Sequence, residues 1–412
     1  MVHGAEWTQK TLFVYPNEFI YWSIQIVMYP YMTGLVAGAF VLSSLYHVFG
    51  QKDLKEMARF SLVFSLCLLP VAMMPLLLHL QQPFRGINVM FTPHFTSAIA
   101  AFGIVFSTYA AIVATEIWFV YRVFFVEQVH ALKGKEGFAD NFKRILYLVL
   151  SLGAFDLSEE AAAKDKRAIT IMASIGVPVA GFLHGYAGFI FGSVKANALW
   201  MSPLMPVIFI MSAVVSGIAL CMLTYIIIME WKKFKAILAR GRGDERVKVI
   251  RGVEMEVMST TSRYLMMFLV AAISLELLDL IFRGYTQMKS WDILRSVMFE
   301  EDFVKIFVLQ YGLGNLVPFI LLLIPGTTIK RLVIALLLVL YGVFMMRWNV
   351  VIGGQAFSLS FEGFMHYHLP VIPHNLETFK EGVAGALMVV ATPFILFWGI
   401  NKILPSLTVK EG

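Results

Sequence analysis

Charged side chains are scarce in this 412-residue chain. Asp, Glu, Lys and Arg together make up 15% of it, whereas apolar residues make up 59%. Soluble globular proteins carry about 25% charged and about 45–50% apolar residues. A soluble fold could not hide this much apolar surface, because most of any folded surface must still face water. The composition, with a mean hydropathy of +0.75, therefore excludes a set of soluble domains and indicates a polytopic integral membrane protein.

Cysteine is almost absent. Cys67 and Cys221 are the two in the chain, both within apolar stretches, which excludes a disulfide framework or a CxxC cluster. Nothing resembles a Walker loop, a Rossmann fingerprint or an iron–sulfur cysteine set. The first 19 residues lack a basic n-region and a small-residue cleavage site, so the first apolar run is interpreted as a permanent span. The formal net charge of +6 does not indicate nucleic-acid binding, because the cations lie in short loops between apolar runs.

Nine apolar runs are long enough to cross the bilayer as helices, since a span needs about 20 residues. They lie at about 22–48, 59–81, 95–121, 168–194, 203–230, 260–284, 303–325, 328–350 and 383–404. A shorter apolar run, 145–155, lies in a charged insert at 122–167. We expect this run at the membrane interface or packed on the bundle, because it is too short to span. The sequence thus predicts one all-α, polytopic transmembrane domain over 1–412.

Lysine and arginine predict the orientation of the bundle. With nine spans and the N-terminus outside, 23 of the 33 Lys and Arg residues fall in inside segments and 7 in outside ones. Counting 145–155 as a tenth span removes this asymmetry. The positive-inside rule therefore favours nine spans over ten, with the N-terminus out and the C-terminus in.

Ionisable side chains within spans are the functional candidates, because each costs at least about 2.5–3.5 kcal/mol at the bilayer centre. Glu276, Asp279 and Arg283 share one face of the sixth span, in its outer half. His184 and Tyr186 of the fourth span reach a similar depth. The outer ends of helices and the adjoining loops add His79, Gln82, Arg85, Lys195, Asn197 and Arg347. We expect these groups to converge on one outer site, the alternative being an Asp279–Arg283 ion pair that only braces the bundle.

A second polar set lies deeper in the membrane. It comprises Gln310, Asn315, Glu116 and His47, which either pass protons between the outer site and the cytoplasm or make scattered interhelical hydrogen bonds. A bis-histidine haem needs two histidines at matched depth on facing helices. No such pair is present in the sequence, so no haem is predicted in this chain. No iron–sulfur cluster is predicted either, because the set of cysteine ligands is missing.

Four motifs carry a resemblance to a known family. YPYMTGLVAGAF (29–40), HLQQPFR (79–85), HGYAGFIFGSVKANALW (184–200) and RWNVVIGGQ (347–355) resemble the NrfD/PsrC family, the membrane subunits of polysulfide-reductase-like complexes. The motifs extend from the first span to the eighth, so the resemblance covers most of the chain. Within the family, GFIFGSVKAN and the insert AFDLSEEAAAKDKRAI (154–169) are most similar to DsrP, the quinone-linked subunit of the DsrMKJOP complex of sulfur metabolism.

The resemblance implies a multi-pass subunit of the cytoplasmic membrane with a menaquinone or other quinone site near the outer face. It also implies a docked ferredoxin-like iron–sulfur subunit on that face and further b- or c-type haem subunits. Carried over by motif, Gln82, Pro83 and Arg85 lie at the quinone, as does Tyr186. Gln81 and Gln82 replace the acidic and glycine positions of the family's turn, so the expected proton acceptor becomes Glu276 or Asp279.

The predicted function is quinone-linked electron transfer within a respiratory complex. A quinol gives up two electrons and two protons, and its protons need a titratable group within hydrogen-bond distance of the ring oxygens. We expect Glu276, Asp279 and His184 to exchange these protons. The quinone pocket is predicted to contain Tyr186, Gln82, Pro83, Arg85, His79, Lys195, Asn197 and Arg347. Two alternatives stay open: a secondary transporter, which also uses buried charges and broken helices, and a structural anchor that holds redox subunits on the membrane.

Overall fold

The regular elements of the protein are helices throughout the part that the computed structural model describes, residues 20–407 apart from 95, 98, 136, 196, 242–251, 287–290 and 358–363. The α-helices are α1 (Ile24–His47), α2 (Lys55–Leu68), α3 (Met74–His79), α4 (Asn88–Phe91), α5 (Ala100–Ala131), α6 (Phe138–Leu150), α7 (Glu159–Gly192), α8 (Met205–Gly241), α9 (Met255–Tyr285), α10 (Trp291–Ser296), α11 (Val317–Leu323), α12 (Ile329–Trp348), α13 (Leu376–Lys380) and α14 (Val383–Ile400). Short 3₁₀-helices lie at Lys52–Leu54 and Pro83–Ile87, and π-helices at Val297–Glu301, Val304–Leu316 and Asn349–Gly353. The predicted all-α membrane fold is confirmed.

Among the described residues, eight helical segments are long and apolar enough to cross a membrane: α1, α5, α7, α8, α9, Val304–Leu323, Ile329–Gly353 and α14. The predicted span 59–81 is helical but broken. Its first part, α2, ends at Leu68, a turn covers 69–73, and α3 begins at Met74. Pro70 explains the break, because proline lacks the N–H that an α-helix needs, whereas Pro75 fits the first turn of α3.

Two helices, α1 and α8, form the centre of the bundle. In each of them, 83% of the most apolar 18-residue stretch is buried, whereas the corresponding fraction in α9, at the periphery, is 17%. Their backbones touch at Gly38 and Gly217, since a Cβ atom on Gly38 would overlap the carbonyl oxygen of Ala213 and would lie 2.8 Å from the Cα of Gly217. Small residues permit this approach, which gives membrane helices their van der Waals contact.

The helix ends form two layers, which we call the proximal end, where α1 begins, and the distal end, where α1 ends. At the proximal end the ring of Trp22 stacks on Trp200 with centroids 5.3 Å apart, and the Trp200 indole N–H donates to the carbonyl of Val350 at 2.5 Å. At the distal end the Tyr121 hydroxyl donates to the carbonyl of Pro405 at 3.2 Å. These contacts tie distant chain segments together at each end.

The insert 122–167 is mostly helical at the distal end. Helix α5 continues to Ala131 and α7 begins at Glu159, with α6 between them. Helix α6 buries Tyr147 and exposes an apolar stripe of Phe138, Phe142, Ile145 and Val149. Such a stripe, with polar residues opposite, is typical of a helix lying in the membrane interface.

Candidate functional site

A cavity of about 100 Å³ lies at the proximal half of the bundle, between α9, the π-helix Val304–Leu316 and the end of α12. We call it the carboxylate cavity. Its polar groups are Glu276, Asp279, Arg283, Gln310, Tyr311 and Asn349, and its apolar walls include Leu199, Met205, Ile208, Leu294, Met298 and Met346. The cavity therefore offers acidic and amide groups on one side and an apolar surface on the other.

Glu276 of α9 is held in this cavity by neutral groups. The side-chain amide of Gln310 donates to Glu276 Oε2 at 3.0 Å, and the Tyr311 hydroxyl interacts with the same carboxyl group. Gln310 Oε1 in turn accepts from Asn349 Nδ2 at 2.8 Å. Within the described residues Glu276 has no ion-pair partner inside 4.0 Å. Its carboxyl group thus keeps the freedom to gain and lose a proton without breaking a salt bridge.

Two π-helices place the neutral partners of Glu276. Gln310 lies within Val304–Leu316, and Asn349 begins Asn349–Gly353. The first π-helix presses against α12 at two glycines, since a Cβ on Gly314 would overlap the Cα of Gly342. This close approach brings Gln310 against Asn349. π-Helical segments of this kind occur often at functional sites.

Asp279 has a different environment from Glu276, although both line the cavity. Its two carboxylate oxygens accept from the Ser202 hydroxyl at 2.5 Å and from Arg283 Nε at 2.9 Å. The other guanidinium nitrogens of Arg283 donate to the carbonyls of Ala198 and Leu199, at 2.6 and 3.2 Å. The pair therefore holds α9 to the link between α7 and α8. This is the structural role that the alternative of an Asp279–Arg283 brace assigns to it.

His184 and Arg347 form a second cluster, at the contact of α1, α7, α8 and α12, and both are fully buried. Arg347 donates to His184 Nε2 at 2.9 Å and to the Ser212 hydroxyl at 2.7 Å, and its guanidinium carbon lies 3.7 Å from the centroid of the Phe209 ring. A guanidinium can only donate, so Nε2 of His184 accepts and the histidine is neutral, with its proton on Nδ1. That nitrogen faces the Thr33 hydroxyl at 3.4 Å.

The charge of Arg347 links this cluster to the carboxylate cavity. In the described part of the chain it has no carboxylate within 4.0 Å, yet it interacts electrostatically with Glu276. His184, whose ring nitrogens both have partners, does not line the cavity. The histidine therefore orients Arg347 rather than facing the cavity itself.

His79 lies in a third place, a cavity of about 780 Å³ at the proximal end between α1, α3 and the segment before α14. Its Nδ1 lies 2.9 Å from Glu381 Oε2, an oxygen that also accepts from the Ser23 hydroxyl. Partial burial raises the pKa of Glu381, but the hydrogen bonds from His79 and Ser23 outweigh it and hold that pKa below its usual range. Glu381 follows no recognisable motif and was not predicted from the sequence.

The turn predicted to hold a quinone is on the surface. Gln82 precedes the 3₁₀-helix Pro83–Ile87, and the side chains of Gln82 and Arg85 are exposed, with Pro83 half-buried. Lys195, in the link between α7 and α8, is exposed as well. None of the four lines the carboxylate cavity.

Tyr186 and Asn197 also lie outside the carboxylate cavity. The half-buried ring of Tyr186 contacts Phe182 and Phe189, both at a centroid distance of 5.9 Å. Asn197 Nδ2 donates to the carbonyl of Gly354 at 2.6 Å, and its Oδ1 accepts from the backbone N–H of Leu199 and Trp200 at 3.0 and 3.1 Å. Asn197 therefore fixes the link between α7 and α8.

The deeper polar set does not form a connected chain. Gln310 belongs to the carboxylate cavity, and Asn315 is buried further along the same π-helix. Both carboxylate oxygens of Glu116 and the Nε2 of His47 are buried without a hydrogen-bond partner in the described part of the protein. The hydrogen bonds between described residues do not join these groups to one another.

The predicted outer residues thus do not form one site: they are distributed over three clusters, the exposed turn and the link between α7 and α8, with Tyr186 apart from these on α7. Tyr311 and Ser202, which were not predicted from the sequence, belong to the carboxylate cavity and its brace. Tyr311 adjoins Gln310, but adjacent residues are not expected to share a face in a regular α-helix. Over the described ranges, no group of three or more His, Cys, Asp or Glu side chains is placed to hold a metal ion.

Fold and site together define a multi-pass membrane protein that carries titratable groups at one end of its helix bundle. The chain belongs to the NrfD family. The model of this family, which is described as "Polysulphide reductase, NrfD", matches residues 15–359. The resemblance of the four motifs is thereby confirmed at the level of the family.

Two curated relatives are similar to the chain. A selenate reductase subunit of Mesobacillus selenatarsenatis is 26% identical over 334 residues, which cover 80% of this chain and 73% of that protein. A membrane subunit of a putative dimethyl sulfoxide reductase of Halobacterium salinarum is 28% identical over 218 residues, 52% of this chain and 45% of that protein. Both are named as subunits of reductases.

Proposed function

We propose that this chain is the quinone-interacting membrane subunit of a respiratory electron-transfer complex. It exchanges electrons between the menaquinone pool of the cytoplasmic membrane and an iron–sulfur subunit docked outside, with haem-bearing subunits further along, in a DsrP-like role in sulfur or sulfite metabolism. Support comes from membership of a quinone-interacting family and from two relatives named as reductase subunits. On this proposal the proximal end is the outer face and the distal end, with α6, faces the cytoplasm.

The carboxylate cavity is the observation that carries the proposal. A quinone is an apolar ring and tail with two oxygens that need hydrogen-bonding or titratable partners. The cavity combines an apolar wall with Glu276, Gln310 and Tyr311, and binding sites for small lipophilic ligands have this character. The ring is proposed to lie against Met205 and Met298 with one oxygen directed at Glu276.

The two carboxylates of the cavity are given different roles. Glu276, held by neutral donors, is the proposed proton acceptor for the quinol hydroxyl, because it can be protonated without losing an ion pair. Asp279 forms the ion pair with Arg283 that holds α9 to the link between α7 and α8. Arg347 stabilises the Glu276 anion through space, and His184 orients Arg347.

A second position for the ring follows from the family resemblance. There the ring would lie between Tyr186 and the turn that contains Gln82, Pro83 and Arg85, with His79 nearby. This position lacks a carboxylate on the turn, since Gln81 and Gln82 stand at its acidic and glycine positions. The carboxylate beside His79, Glu381, is already hydrogen-bonded to His79 and Ser23, whereas Glu276 has neutral partners, and the carboxylate cavity is therefore preferred.

The test is quinol oxidation by the purified complex with Glu276→Gln. The substitution keeps the size of the side chain and its hydrogen-bonding capacity but removes the proton acceptor, so we expect kcat to fall by about 10²–10⁴-fold with quinone binding retained. Glu301→Gln, at an exposed carboxylate near the same end, is the matched control and should keep the wild-type rate. Unchanged quinol oxidation in Glu276→Gln would favour the structural anchor, and solute uptake by the isolated chain would favour the transporter.

A further inference from the structure

Asn349 separates two cavities. On one side it lines the carboxylate cavity, and on the other it lines a cavity of about 120 Å³ whose polar groups include Asp302, Lys305 and His366. We call the second one the Asp302 cavity. Asn349 is thus the residue that the two cavities share.

The hydrogen bonds of Asn349 are incomplete. Its Nδ2 donates to Gln310 Oε1 at 2.8 Å and to the carbonyl of Lys305 at 3.3 Å. Its Oδ1 is buried without a partner among the described residues, in a residue that is only 5% exposed. A buried acceptor left unsatisfied destabilises the fold. An ordered water satisfies such a group where space allows, and both cavities exceed the roughly 10–15 Å³ that one water needs.

The polar groups of the Asp302 cavity extend toward the proximal surface. Asp302 is buried, with 3% of its side chain exposed, and its Oδ1 accepts from Lys305 Nζ at 2.6 Å. The Lys305 side chain is 46% exposed. Polar groups therefore line the way from Asn349 to the surface at the end where the π-helix begins.

We propose that the proton taken up by Glu276 leaves to the proximal aqueous phase through water held in these two cavities, with Asn349 as the connecting side chain. The inference rests on the proposed function. Each quinol loses two electrons to the iron–sulfur partner and two protons, which pass one after the other to the Glu276 carboxylate and then to water as hydronium. Atoms and charges balance, and the quinone leaves neutral.

This route runs opposite to the deeper polar set considered from the sequence. Glu116 and His47 have no hydrogen-bonded connection to Gln310 in the described part of the chain, whereas Gln310 contacts Asn349 directly. The side on which protons appear therefore distinguishes the two routes.

The experiment uses the whole complex in proteoliposomes of known orientation, a soluble quinol analogue and a membrane-impermeant pH dye. The wild type should release protons on the proximal side. Asn349→Leu, which removes the polar connection but keeps the branched shape of the side chain, should slow quinol oxidation by about tenfold and raise its solvent deuterium isotope effect. Asn349→Asp should restore most of the rate, because a carboxylate can bind water and carry a proton. Binding of a quinone-site inhibitor should stay within about twofold in both.

Gln355→Leu is the matched control, since it makes the same kind of change six residues away in a side chain that lines neither cavity. It should behave as the wild type. Protons released on the distal side, or an Asn349→Leu complex with the wild-type rate and isotope effect, would overturn the inference. If Asn349→Leu does not assemble, the Asn349→Asp rate and the side of proton release decide. An active Glu276→Gln complex would instead refute the proposed function, whatever Asn349 does.

Discussion

The different roles of Glu276 and Asp279 give the sharpest prediction. Asp279→Asn removes the carboxylate from a pair in which Arg283 is 6% exposed and Asp279 is 12% exposed. Breaking a buried pair by removing one partner costs about 3–5 kcal/mol, because the remaining charge stays buried and unpaired. The loss should appear as lower stability, whereas Glu276→Gln should leave stability nearly unchanged and lower kcat by about 10²–10⁴-fold.

The expected size of the effect can be expressed as a melting temperature. At about 2.1 cal/mol/K of unfolding entropy for each residue, a 412-residue chain has a midpoint entropy of about 0.9 kcal/mol/K. The loss of about 3–5 kcal/mol then lowers the Tm by about 3–6 °C. The assay is thermal unfolding of the purified complex, followed by quinol oxidation per folded complex at a temperature well below the Tm.

A double-mutant cycle supplies the control. Arg283→Met alone leaves Asp279 charged and unpaired, whereas the combined Asp279→Asn/Arg283→Met protein buries no unpaired charge. We expect the double variant to be less destabilised than the two single effects together, by about 2 kcal/mol or more. A strictly additive cycle, or an Asp279→Asn complex with unchanged Tm and a hundredfold lower kcat, would refute the assignment of Asp279 as a brace.

Three further predictions follow from other parts of the bundle. Gly38→Ala should lower stability by about 1–3 kcal/mol through overpacking against α8, whereas Gly181→Ala, with open space at its Cβ, should not change it; equal Tm values for the two variants would count against the close helix contact. The pKa of Glu381 is lower in the folded protein than in the unfolded chain. The Glu381 carboxylate therefore stabilises the fold at pH values above the unfolded-state pKa, and this stabilisation is lost as the pH falls through the folded-state pKa. The Tm difference between wild type and Glu381→Gln should therefore shrink below about pH 4, and a difference that persists at lower pH would contradict this. A spin label at Phe142 of α6 should be reached by lipid-soluble oxygen and one at Lys143 by a water-soluble quencher; the reverse pattern would exclude an interfacial α6.

The helical membrane fold could be predicted from the sequence because length and hydropathy decide it. An apolar run of about 20 residues crosses a bilayer as a helix, because a helix satisfies its own backbone hydrogen bonds where no water is present. The break of the span 59–81 was not predicted, since Pro70 and Pro75 are tolerated in many membrane helices. Whether a proline bends or interrupts a helix depends on which neighbours satisfy the freed carbonyls, and that information is tertiary.

The candidate site was predicted only in part. The spacing of Glu276 and Asp279 correctly places both on one helix face, and both line one cavity. Depth along a helix does not tell which face a residue presents to which neighbour, so His184 and Tyr186, at similar depth, have different surroundings. The role of Tyr311 depends on a π-helix, which hydrophobic periodicity does not reveal.

The position of the quinone ring tests the central claim most directly. The complex in native-like membranes is labelled with a photoreactive quinone analogue, and the cross-linked peptides are identified by mass spectrometry, with excess unlabelled quinone as the competitor. We expect competed labelling on α9 near Glu276 and on the π-helix near Gln310. Competed labelling confined to the turn at Pro83–Ile87 and to α7 around Tyr186, with none at the carboxylate cavity, would contradict the account.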